Sequence, residues 1–103
     1  PEPDWAQVQD IAYSRHKGRD GKPDSLKVEY LIDGKVAREW VCFEHAGYPR
    51  QKAVAWWHAR TPTAPPSTVA EALERIDELP LPVAAVPQKN GKYLNISRVR
   101  FAA

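Results

Sequence analysis

The residues with the most chemical potential lie between Arg38 and Arg60, in REWVCFEHAGYPRQKAVAWWHAR, which holds three of the four tryptophans and the only cysteine. Cys42 and His45 stand at the C-x-x-H spacing that can open a metal site. Zinc takes four well-placed ligands, and here no second cysteine exists and His16 and His58 are remote in sequence. The pair reads instead as a small buried cysteine on a strand and a histidine at its end. A cysteine inside a strand is more often packing than nucleophile. Glu71, Glu74, Asp77 and Glu78 follow one another at helical spacing, where carboxylates form a solvated face rather than an acid–base pair. No glycine-rich phosphate loop is present. The residues therefore offer no catalytic group, no metal ligand set and no cofactor site.

What remains is cationic and aromatic. Single-stranded nucleic acid is held by a positive groove with rings on which bases stack, worth roughly 1–3 kcal/mol per base. Lys27, Arg38 and Trp40 form one such set. Arg50, Lys52 and Arg60 with one of the adjacent Trp56 and Trp57 form another, and Trp57 is the platform named here. The competing reading is that a tryptophan in a small domain belongs to the core. Lys92, Arg98 and Arg100 stand behind these, Arg98 and Arg100 projecting from one face of the last strand. The charge is segregated: residues 45–70 carry Arg50, Lys52 and Arg60 without an acid, and residues 88–103 carry Lys89, Lys92, Arg98 and Arg100 without one. A net charge of +2 is too small by itself to argue for nucleic acid.

The elements that must position these groups follow from period and turn chemistry. Residues 5–15 read as a strand with imperfect alternation, and HKGRDGKPDS (16–25) as a mobile, basic loop. Leu26 to Ile32 alternate, and Asp33–Gly34 fits a type I′ turn. Counting from that turn sets Glu29 opposite Arg38 and Lys27 opposite Trp40, on the face away from Leu26, Val28, Tyr30, Val41 and Phe43. Glu29 is then placed to pair with Arg38, and Lys27 to lie against the Trp40 ring. Pro49 suits the first turn of a helix carrying Ala53, Trp56, Trp57 and Arg60. Neighbours on a helix differ by about 100°, so Trp56 and Trp57 cannot be equally deep. Thr68 and Glu71 make a capping-box signature for an amphipathic helix over 69–79, ended by Pro80 and Pro82. Residues 83–87 read as a short strand that prolines confine to an edge or an end. Asn90–Gly91 is a second type I′ signal. In the last strand, 93–101, Leu94 and Ile96 differ in parity from Val99 and Phe101, which a bulge near Ser97 reconciles.

The expected fold is α+β: a mainly antiparallel twisted sheet of four to five strands with two helices between hairpins, in the order β-β-β-α-α-β-β. A partly closed barrel of the OB type is one form it can take. At 103 residues the chain is one domain. It begins with proline and has no methionine, as expected of a domain cut from a longer polypeptide. One cysteine, no signal-peptide pattern and no apolar run of membrane-spanning length point to the cytoplasm and away from a membrane.

The runs EWVCFEHAGYPRQKAVAWWHAR, TVAEALERIDEL and GKYLNISRVRF resemble the C-terminal region that follows the motor core in some phage and bacterial superfamily II helicases, the DEAD/DEAH-box-like kind. The resemblance spans roughly residues 26–101 and is strongest from Glu39 to Arg60. It implies an accessory domain of an ATP-driven translocase. The helicase motifs for nucleotide binding and hydrolysis are absent, so it carries no ATPase residue to this chain. The expectation is a nucleic-acid-binding accessory domain, with DNA ahead of RNA and the parent helicase core as partner. The alternative is a protein–protein interaction module that docks on that core or on another protein.

Overall fold

A computed structural model describes residues 3–102. In chain order it contains β1 (Ala6–Gln7), β2 (Asp10–His16), β3 (Ser25–Ile32), β4 (Lys35–Val41), α1 (Tyr48–His58), α2 (Val69–Glu74), a 3-10 turn (Ile76–Glu78), β5 (Pro82–Asn90) and β6 (Tyr93–Phe101). The strands form one sheet in the order β1-β5-β6-β4-β3-β2. The fold is α+β. The sheet has antiparallel hairpins and one parallel pair, β4 with β6, where Arg38 faces Asn95.

The first predicted strand is two strands. Val8 donates its N–H to Val83 O at 3.0 Å, and Gln9 donates to Leu31 O at 2.8 Å. The chain thus leaves β5 and joins the β3 side within two residues, which explains its broken alternation. β1 and β2 occupy opposite ends of the sheet order, and the chain passes from one to the other at Val8–Gln9.

Two compact units divide the contacts. The first comprises residues 1–12, 28–39 and 81–103. Its core is Val28, Tyr30, Ile32, Ala37 and Ala85. Asp33 and Gly34 both have positive φ, 51° and 74°, the type I′ requirement read from sequence. The second hairpin corrects its prediction: Asn90 pairs with Tyr93, the turn is Gly91–Lys92, and positive φ falls on Gly91 alone. Asn90 stays extended, and a glycine at the first central position suits a type II′ turn. β5 is longer than 83–87. It tolerates its prolines because Pro82 begins it and Pro87 sits at a register shift. Val86 faces Arg98 and Pro87 faces Ile96, leaving Ser97 as the extra residue of a bulge. Its hydroxyl donates to Val86 O at 3.2 Å.

The second unit comprises residues 13–27 and 40–80, around Leu26, Val41, Phe43, Ala53, Trp57, Val69 and Ala72. The loop over 16–25 contains a turn braced by side-chain contacts. Asp24 accepts the Gly18 N–H at 3.0 Å and lies 3.7 Å from Arg15. A side chain on Gly18 would collide with Lys22 O. Gly47, at φ 69°, precedes α1, and Pro49 falls in its first turn. Thr68 caps α2 by accepting the Glu71 N–H at 3.1 Å, and Glu44 accepts the Val69 N–H at 2.8 Å. The single helix expected over 69–79 breaks at Arg75, which has φ −109° and ψ 17°. The chain then continues as the 3-10 turn.

Candidate nucleic-acid interface

The second unit holds the best-formed part of the candidate surface. β3 and β4 bring Lys27 and Trp40 together, with Lys27 Nζ 5.7 Å from the Trp40 ring centroid. Trp40 is 47% exposed. β2 adds His16, whose ring centroid lies 4.5 Å from that of Trp40 at a 56° tilt. A large ring flanked by a cation and an imidazole, and still half open to water, can stack on a planar ligand. The Lys27–Trp40 contact was legible from the hairpin register. His16 was not, because its strand alternates poorly and its partner is 24 positions away.

Trp57 corrects the sequence reading. It is 0% exposed, its ring meets Phe43 edge-on at 6.1 Å, and its Nε1–H donates to Thr63 Oγ1 at 3.2 Å. Arg75 lies over it at 4.9 Å. A residue so enclosed cannot receive a base. The half-buried neighbour, Trp56, holds the outward position, with the Arg60 guanidinium 3.8 Å from its centroid. This is the division that adjacent helical positions require.

Arg50 is also reassigned. Its Nη1 donates to Phe43 O at 3.1 Å and to Pro66 O at 2.6 Å. The side chain ties the residues after β4 to the proline-rich connector, so its placement is explained by the fold. Lys52 is exposed and lies 5.7 Å over the Tyr48 ring. Arg60 also donates to Trp56 O at 2.9 Å. Tyr48, 67% exposed, escaped the sequence reading because a tyrosine beside proline in a turn carries no periodic signal.

The first unit places the remaining candidates. Arg38 is exposed and pairs with Glu29 at 3.4 Å, the cross-strand pair predicted by the turn. Half-exposed pairs of this kind contribute about 0–1 kcal/mol and leave the cation partly neutralised. Lys92 is exposed and lies 5.4 Å over Tyr93. Arg98 and Arg100 are exposed on the same face of β6, and Arg100 lies 4.2 Å over Trp5. Trp5 is a further aromatic partner that sequence reasoning missed, since its contact crosses from one end of the chain to the other.

Cys42 is half-buried just past the end of β4, its Sγ 3.7 Å from Ser25 Oγ. His45 keeps its Nδ1 buried without a hydrogen-bond partner. Among the described residues no three of His, Cys, Asp and Glu gather closely enough to hold a metal ion, and no helix is long and apolar enough to cross a membrane.

Two of the four acids of the segment from Glu71 to Glu78 are turned on a single cation. Arg75 binds Glu71 at 3.2 Å and Glu78 at 2.7 Å, and also donates to Thr63 Oγ1 and Ala64 O. The hydrogen bond from Arg75 is the main cause that holds the Glu78 carboxyl below its ordinary value, with one from Thr63 adding. No family model matches the sequence, and neither a curated protein nor a solved structure matches it.

Proposed function

We propose that this chain is a nucleic-acid-binding accessory domain of a helicase, gripping a single strand through stacking and backbone charge. The observation that carries the reading is Trp40, large, half-exposed and flanked by Lys27 and His16. Exposing so much indole on a sheet forgoes burial worth roughly 1.5–3 kcal/mol for a large apolar side chain, a cost that a stacked base repays. Lys27 supplies phosphate attraction beside the ring, and Lys52, Arg60, Lys92, Arg98 and Arg100 add further positive charge. DNA is the polymer favoured by the helicase likeness. ATP hydrolysis belongs to the parent motor in this reading and to no residue here.

The test is titration of a labelled single strand at low salt. Trp40→Ala is expected to weaken binding about 5- to 100-fold, the loss of one stacked base. Lys27→Gln should lower the salt slope by about 0.7 for one lost phosphate contact. Wild-type protein that leaves the strand free at low salt would sink the proposal. Docking onto the helicase core is the second reading, favoured by Leu81 and Val83, which are 71% and 41% exposed.

A further inference from the structure

Tyr48, Lys52, Trp56 and Arg60 stand at successive four-residue intervals on α1 and the turn that follows it. Residues at that spacing lie along one ridge of a helix, advancing about 6 Å per step. The types alternate ring, cation, ring, cation. Each cation covers the ring before it, Lys52 over Tyr48 at 5.7 Å and Arg60 over Trp56 at 3.8 Å. The core-facing side of the same helix is Ala53 and Trp57, both buried. Tyr48, at 67% exposed, gains little from packing where it stands.

The charge along this stretch of the sequence is one-sided. No acid occurs from residue 45 to residue 70. The carboxylates that bound this run are engaged elsewhere, Glu44 with the Val69 N–H and Glu71 with the Ser67 N–H and Arg75. A polyanion would meet the cations of Lys52 and Arg60 here, and one with planar groups between its charges would also meet rings. We infer that this ridge is a second contact for single-stranded nucleic acid, with a base on the Tyr48 ring, a phosphate on Lys52, and the pattern repeated at Trp56 and Arg60. The inference rests on the strand-binding reading above and adds a site to it. An acidic protein segment would use only the two cations, which makes the rings the deciding feature.

The experiment uses the whole chain and a labelled oligothymidylate of about 15 nucleotides, within the site sizes of small single-strand binders. Anisotropy is read between about 50 and about 200 mM salt. Tyr48→Ala is expected to weaken binding about 5- to 100-fold, and Tyr48→Phe to retain it, since the ring alone stacks. Lys52→Gln should flatten the salt slope by about 0.7, and Lys52→Arg should restore it. Both positions are exposed, so thermal melts of the variants are expected to match the wild type. If the wild type binds while Tyr48→Ala and Lys52→Gln bind equally well, the ridge is not a strand site, although the Trp40 site stands. Polyglutamate competing as effectively as oligothymidylate would also overturn the ridge as a strand site and make it a surface for acidic protein. No wild-type binding at low salt would overturn both sites together.

Discussion

At the scale of single residues, adjacent tryptophans have opposite work. Trp57 fills the second unit's core and Trp56 faces outward under Arg60. Trp57→Ala is expected to cost about 3–5 kcal/mol, the range for emptying a buried large aromatic site. The loss includes its hydrogen bond to Thr63. Trp40→Ala, at a half-exposed site, should cost less than about 1.5 kcal/mol while removing the stacking platform. Urea unfolding monitored by circular dichroism separates the two, and equal losses would contradict the assignment of core and platform. Arg50 belongs with Trp57 in this division. Its bonds to Phe43 O and Pro66 O mean that replacing Arg50 together with Lys52 and Arg60 would mix structural damage with loss of charge.

At the scale of elements, β6 depends on one extra residue. With Ser97 bulged, Leu94, Ile96, Val99 and Phe101 share a face while Arg98 and Arg100 take the other. A one-residue slip moves every later side chain to the opposite face. Insertion of alanine between Val99 and Arg100 should therefore turn Arg100 inward and Phe101 outward, and lower stability by several kcal/mol, since an unpaired buried charge is costly. Deletion of Ser97 should be milder, because it removes the bulge and brings all four apolar residues into plain alternation. Thermal unfolding of the two variants checks this, and an insertion tolerated better than the deletion would refute it.

Across the whole molecule, a small net charge hides a strong separation of sign. Near α2, Glu71 and Glu78 are gathered on Arg75, while the basic runs lie elsewhere in the chain. The Arg75–Glu78 contact gives stability a pH dependence of definite sign. Glu78 has a folded pKa held below its unfolded value, which is about 4.3 for a free glutamate. Its contribution is complete above that value and disappears as pH falls through the depressed one. Glu78→Gln is expected to lower stability near neutrality and to flatten the acid limb of the curve. Urea unfolding between about pH 7 and about pH 3 measures it. Parallel curves for variant and wild type would remove this pair from the acid response.

Much of the local structure was legible because its causes are local. Alternation from Leu26 to Ile32 and Asp33–Gly34 set a hairpin whose register placed Lys27 by Trp40 and Arg38 by Glu29. The parity change in β6 announced its bulge, and Thr68 announced its helix. The misses have tertiary causes. The break at Val8–Gln9 arises because the chain finds hydrogen-bond partners on Val83 and Leu31, neither of which is encoded nearby. The helix over 69–79 yields at Arg75, whose side chain binds Thr63 and Ala64 O in the connector as well as Glu78. Helical spacing dictated that one of Trp56 and Trp57 be deeper than the other. It could not choose between them, because depth depends on where Phe43 and Thr63 lie in space. Local period and turn chemistry set the hairpins and most of the element types, and composition supplied the rings and cations. Tertiary packing decided which rings stay exposed, since burial is a property of the contacts a folded chain makes with its distant segments.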